Sequence, residues 1–364
     1  QILNFMEARI MTFLRTFFIT ALTIGLGLIS GVAEAQSTQN MYVCNQGSAT
    51  LMVIDTQTHE IIETIDLQEL GYSANAKPHH AIAEPDGSFW YVTLIGENKV
   101  LKFNRENELV DEVSLEVPGL MAMHPNKDEL FVGRSMSAVN PPQSFGVIER
   151  SSMSLNKEVE VFFSRPHAIA ANSKDNWTFI ASLSSNQMLS VNTETEETNL
   201  TNVEGSNNVF VNFAVSPDGN TMVATGQITG KLLVFDISDP ANPELSNSID
   251  VNAMPWHPVY SLDGKYVYFG NKGAHTVTVV DMDTQTVDAV IEGNGLAQPH
   301  GAALTADGKY LYVTNNNLDG TYQPEGSETE NPVGTVTVIN TETRTIEKVI
   351  EVGNYPSGIG TNAW

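Results

Sequence analysis

One cysteine, Cys44, occurs in 364 residues, so no disulfide can form within the chain and stability must come from packing. Cys44 lies in the apolar run Met41-Tyr42-Val43-Cys44, where a small buried hydrophobe is the expected role; a thiol nucleophile or copper ligand is the alternative. Basic residues are scarce as well: 18 Lys+Arg stand against 43 Asp+Glu, a net charge of −25. That balance disfavours nucleic acid and anionic membrane surfaces as partners. No run of like charge is long enough to make a tail. Apolar runs of spanning length are missing too. The longest, from Phe17 to Ile29, sits between Met11-Thr12-Phe13-Leu14-Arg15 and Ala33-Glu34-Ala35, the pattern of a secretory signal peptide with its cleavage site. The expectation is upstream residues plus signal over 1–35, then one domain over 36–364, periplasmic or secreted, monomeric and without membrane insertion after cleavage.

What the chain does have is a repeat. Apolar runs with small residues lead into Asp-Gly turns at Ala81-Ile82-Ala83-Glu84-Pro85-Asp86-Gly87, Phe213-Ala214-Val215-Ser216-Pro217-Asp218-Gly219, Val259-Tyr260-Ser261-Leu262-Asp263-Gly264 and Ala302-Ala303-Leu304-Thr305-Ala306-Asp307-Gly308. Asp-Gly between apolar runs is a hairpin signal, read here as a turn with both central residues at positive φ. A second strand follows (Tyr266-Val267-Tyr268-Phe269), then an alternating third (Thr276-Val277-Thr278-Val279-Val280-Asp281) and, after a polar turn, a fourth (Thr286-Val287-Asp288-Ala289-Val290-Ile291).

The first position of the unit falls at Pro78, Pro118, Pro166, Phe210, Pro255, Pro299 and Pro356, with spacings of 40, 48, 44, 45, 44 and 57 residues. Four strands per ~40 to 50 residues are the period of propeller blades. The last first strand, Ser357-Gly358-Ile359-Gly360-Thr361, has no partners after it, and Met41–Asn45 has no first strand before it. The two ends therefore complete a seventh blade and close the ring. The predicted fold is an all-β, seven-bladed propeller of four-stranded antiparallel blades.

Tyr91-Val92-Thr93, Tyr312-Val313-Thr314-Asn315 and the Asp-Gly-Lys-Tyr hairpins at 263–266 and 307–310 resemble the YVTN-repeat, YncE-like propellers over residues ~41 to 364. Related groups are the lactonase-type propellers and those of nitrite reductase and nitrous oxide reductase. Such scaffolds host unrelated chemistries, so the resemblance is informative about fold.

Phasing sorts the histidines. His79, His167 and His300 share one phase with Gly119, Val211, Trp256 and Ser357; His80 and His257 share the next with Leu120, Ala168, Asn212, Gly301 and Gly358. In a propeller this connection enters the channel from its top. Five of eight histidines are therefore expected at the mouth; His124, His59 and His275 fall elsewhere. Lys77 and Arg165 precede two of the Pro-His dipeptides and Arg134 follows the second strand Leu130-Phe131-Val132, so three cations gather at the same end. The candidate ligand site is thus His79, His80, His167, His257, His300, Trp256, Asn212, Lys77, Arg134 and Arg165. Its expected ligand is a small anion, or a Cu or Zn ion held by His79, His167 and His300. Structural hydrogen bonding is the competing role for these imidazoles, though the Trp-Asp pairs that accompany it in WD repeats are missing.

Two other classes remain open. The resemblance of Pro255-Trp256-His257 and Ser261-Leu262-Asp263-Gly264-Lys265-Tyr266 to lactonase-type propellers implies a hydrolase or lyase with a histidine base, but second strands here end in Asn271 and Asn315 where that family has Glu. A protein-docking module is the third. The long polar segment 316–334 carries Asp319, Glu325, Glu328 and Glu330, a candidate calcium site or source of a catalytic base. A second long loop, Ser135 to Phe145, flanks the same mouth.

Overall fold

The computed structural model describes residues 39–134, 139–325 and 332–362. The expected signal segment, together with Glu328 and Glu330, lies outside the described residues. Among the described residues, no helix is long and apolar enough to cross a membrane. The chain forms seven four-stranded antiparallel sheets, and the innermost strands pack successively around a ring. Counting from Pro78, these innermost strands are Pro78–Ala83, Met121–Met123, Pro166–Ala171, Phe210–Val215, Val259–Tyr260, Pro299–Leu304 and Pro356–Gly360.

The seventh blade is composite. Pro356–Gly360 pairs antiparallel with Asn40–Asn45, matching Val43 to Ile359 and Tyr42 to Gly360. The Ser357 hydroxyl lies 3.2 Å from the carbonyls of Pro78 and His79 and ties the closing strand to blade one. The backbones come so close here that a Cβ on Gly358 would stand 2.2 Å from the His79 carbonyl oxygen, and one on Gly360 2.0 Å from that of Ala81.

Second and third strands are buried on both faces by neighbouring blades, which is why Tyr266–Asn271 and Gly334–Asn340 read as nearly continuous buried runs. Fourth strands face solvent on one side, so Ser154–Glu160 alternates between exposed and half-buried positions. Blade interfaces are filled by aromatic and aliphatic side chains. Trp90 of blade one is sandwiched between Tyr42 of blade seven at 4.2 Å and Phe103 at 4.3 Å.

Two backbone features differ from expectation or go beyond it. In the Asp-Gly hairpins only the glycine is left-handed: φ is +66° at Gly87, +66° at Gly219, +74° at Gly264 and +70° at Gly308. Pro85 and Pro217 fix the preceding position at negative φ, so the turn is closed by glycine N–H groups reaching back three residues, Gly87 to Glu84 at 2.9 Å and Gly219 to Ser216 at 2.8 Å. The residue ahead of the first repeat position of every blade is also left-handed: Lys77, Val117, Arg165, Val209, Met254, Gln298 and Tyr355 all have φ between +44° and +58°. That bend recurs in all seven blades and turns the chain from the rim into the channel.

Candidate ligand site at the mouth of the channel

The bend delivers five imidazoles to one place. His79, His167, His257 and His300 are 3 to 4% exposed and His80 is half-buried. Ring centroids lie 6.1 Å apart for His79 and His167, 6.4 Å for His80 and His257, and 5.2 Å for His257 and His300. Trp256 packs 4.1 Å from His300, and Tyr355 lies 6.4 Å from it. The shared phase of the repeat therefore brings together His79, His80, His167, His257, His300 and Trp256.

Their hydrogen bonds divide them into two kinds. A carbonyl can only accept, so the 2.6 Å contact of His167 Nδ1 with the Val211 oxygen puts the proton on Nδ1. The Met121 N–H donates to His80 Nδ1 at 3.2 Å, so a neutral His80 carries its proton on Nε2. The others are unsatisfied: both ring nitrogens of His79, Nε2 of His257, Nδ1 of His300, Nε1 of Trp256 and Oδ1 of Asn212 are buried without a partner. Orphaned buried polar atoms each cost ~1 to 3 kcal/mol, so these groups are available to ordered water or to a ligand.

All five imidazoles are held neutral. Burial is the first cause throughout, lowering His79 to about 3 and His80 and His167 to about 4, and taking His257 and His300 well below the ordinary value. Neighbouring charge works in the same direction. Arg165 acts on His167, Lys272 acts on His257 and His300, and no carboxylate figures among the charges acting on any of the five. The chain has 43 acidic residues, yet among the described residues none of them acts on these rings.

Three placements bear on the candidate set. Arg134 is an inter-strand clamp: its guanidinium donates to the Glu116 carbonyl at 3.0 Å, to Glu116 Oε2 at 3.0 Å, to Ser144 Oγ at 2.8 Å and to Glu158. Two carboxylates already neutralise it, so it does not offer its charge to the mouth. Of the expected metal trio, His79 meets His167 while His300 meets His257; among the described residues no three His, Cys, Asp or Glu side chains are grouped to hold a metal ion. Lys272, by contrast, was not among the candidates. It directly follows strand Tyr266–Asn271, the same stretch of the repeat that singled out Arg134, and its Nζ lies 4.7 Å from the Trp256 ring centroid.

No family model matches the chain, and no curated protein matches it in sequence. Solved structures do match. A protein of unknown function from Desulfotomaculum acetoxidans superposes with a TM-score of 0.72 at 16% identity, covering 88% of this chain and 98% of that one. Hydrazine synthase of Kuenenia stuttgartiensis gives 0.64 at 19%, covering 78% and 89%. Dihydro-heme d1 dehydrogenase NirN in complex with DHE gives 0.60 at 14%, covering 90% and 75%. These likenesses show the fold. At such identities they say nothing about this mouth.

The remaining histidines have other work. His124 Nδ1 accepts from the N–H groups of Asn126 and Lys127, both at 3.0 Å, and caps that turn. His59 bonds the Tyr312 hydroxyl. His275 Nε2 lies 3.5 Å from Asp319 at the exposed rim, the one histidine–carboxylate pair among the described residues. Asp319 therefore faces an imidazole, and the two ends of its loop are tied by Asn317, whose side-chain amide donates to the carbonyls of Tyr322 and Val333 at 2.8 Å. Cys44 is fully buried and burial pushes its thiol up, so it stays protonated as a core residue.

Proposed function

We propose that the protein binds a small anion, of the carboxylate class, at the top mouth of its channel. The observation that carries this reading is the set of unpartnered buried groups on His79, His257, His300 and Trp256, where no carboxylate among the described residues acts on the rings. Neutral imidazoles and an indole offer N–H donors without competing negative charge, and Arg165 and Lys77 at the entering bends supply a favourable field. An anion seated there favours imidazolium, so binding takes up a proton and strengthens as pH falls from 7 toward 5. NirN, similar in fold, is described with DHE bound, which supports the scaffold as a ligand carrier and nothing narrower.

The test is a thermal-shift panel of oxalate, acetate and phosphate against urea and acetamide. Small carboxylates are expected to raise the melting temperature, more at pH 6 than at pH 7.5. Equal shifts from neutral amides, or none from any anion, contradict the reading.

A transition metal of the Cu or Zn class is the second reading, and two observations favour it. The Val211 carbonyl fixes His167 with Nε2 free, and the 5.2 Å separation of His257 and His300 matches two rings sharing one ion at ~2.0 to 2.1 Å, whose centroids stand roughly 5 to 6 Å apart. Equilibrium dialysis of untagged protein with Zn or Cu, repeated on His79→Ala/His167→Ala/His300→Ala, tests it. Stoichiometric metal lost in the triple variant supports it; no bound metal removes it.

A further inference from the structure

Anion binding leaves Lys272 unexplained. Its ammonium lies 4.7 Å from the Trp256 ring centroid and 5.7 Å from that of Tyr355, and Trp256 packs in turn against His300. Lys99, Lys127, Lys157, Lys231 and Lys348 each pair with a carboxylate. Among the described residues Lys272 Nζ has neither a carboxylate partner nor a hydrogen-bond acceptor. Aromatic faces stabilise a cation by ~0.5 to 2 kcal/mol, less than desolvation removes. Burial accordingly lowers the amine from 10.5 to about 8. A partly buried lysine with apolar walls and no counter-ion is the environment that turns this residue type into a nucleophile toward carbonyl carbon.

We propose that Lys272 is a reactive amine that forms an imine with a small 2-oxo acid seated at the mouth. The Nζ lone pair bonds to the carbonyl carbon to give a carbinolamine. The carbonyl oxygen then departs as water with the two amine protons, leaving a carbon–nitrogen double bond. No oxidant or reductant is consumed. The substrate's carboxylate rests on the anion-binding reading, since it takes the unpartnered donors of His257, His300 and Trp256; the nucleophilic role of Lys272 rests on its own surroundings.

Glyoxylate with sodium cyanoborohydride tests this on the full chain at pH 7.5, with peptide mass mapping of every lysine. Reduction should fix a carboxymethyl group on Lys272 at least ~10-fold faster than on exposed Lys174, Lys265 and Lys309. The preference should shrink at pH 10, where surface amines are also neutral, and no single site should stand out in Lys272→Arg. Propanal, which lacks a carboxylate, should show a weaker preference. Labelling of Lys272 no faster than the surface lysines overturns the proposal, and equal preference for glyoxylate and propanal overturns the 2-oxo acid assignment. If oxalate binds the unmodified protein while Lys272 shows no preference, the imine fails and the anion reading stands; if oxalate does not bind, that reading fails on its own.

Discussion

His79 and His167 sit on first strands two blades apart, yet their rings meet at 6.1 Å across the channel. They are not equivalent. His167 is anchored to the Val211 carbonyl, whereas both nitrogens of His79 are buried and unpartnered. The pair therefore separates a structural imidazole from a ligand-seeking one within a single constellation.

That asymmetry sets the first prediction. His79→Gln should weaken oxalate binding by about tenfold with little change in melting temperature, because no intramolecular bond is lost. His167→Leu should destabilise the fold by about 1 to 2 kcal/mol, because it strips the Val211 carbonyl of its donor. Denaturant titration beside calorimetry distinguishes the two, and identical profiles would contradict the division.

Acid stability gives the second. In the folded protein His79, His80 and His167 stay neutral down to about pH 3 to 4, while in the unfolded chain they protonate near 6.5. Between those values the unfolded state binds more protons, so stability falls as pH drops from 6.5 toward 4, by at most ~1.4 kcal/mol per pH unit for each ring. Asp218, Asp263 and Asp307 are lowered from 3.8 and add their loss only at more acid pH. Melting curves from pH 7 to 4.5 should show this decline, and His79→Gln/His80→Gln should flatten it. A variant curve parallel to the parent's counts against neutral imidazoles at the mouth.

The left-handed bend yields a third. Val209 is β-branched and sits at φ +55°, a conformation that costs a non-glycine residue ~1 to 2 kcal/mol. Val209→Asn should stabilise the protein by about 1 kcal/mol, read as a raised melting temperature, because asparagine tolerates this region. Destabilisation would mean that packing of the valine outweighs its backbone strain.

Arg134 gives the fourth. Arg134→Met should cost about 2 kcal/mol in denaturant titrations, since it removes bonds to Glu116, Ser144 and Glu158, while oxalate affinity stays within twofold. Loss of affinity with stability retained would restore it to the site.

The repeat made most of the fold legible. Asp-Gly turns, alternating third strands and the orphaned first strand at Ser357–Thr361 were enough to deduce seven blades and their closure. The same phase brought His79, His80, His167, His257 and His300 to one end. What stayed hidden depends on partners distant in sequence. Glu116, 18 residues earlier, and Glu158, 24 residues later, neutralise Arg134, and nothing in the repeat pairs them. Lys272 becomes distinctive only once Trp256, 16 residues earlier, and Tyr355, 83 residues later, fold against it. The contacts among the five imidazoles likewise depend on how first strands of different blades pack, which sequence spacing does not encode.

On the proposed function, unpartnered donors at the mouth take a small anion, and isothermal titration with oxalate at pH 6 decides whether they do. The parent chain is measured beside His79→Gln/His300→Gln, with circular dichroism confirming the fold of both. The expected result is one saturable site per chain, proton uptake revealed by repeating the titration in buffers of different ionisation enthalpy, and loss of binding in the double variant. No saturable heat in the parent chain, or undiminished binding in the variant, would contradict it.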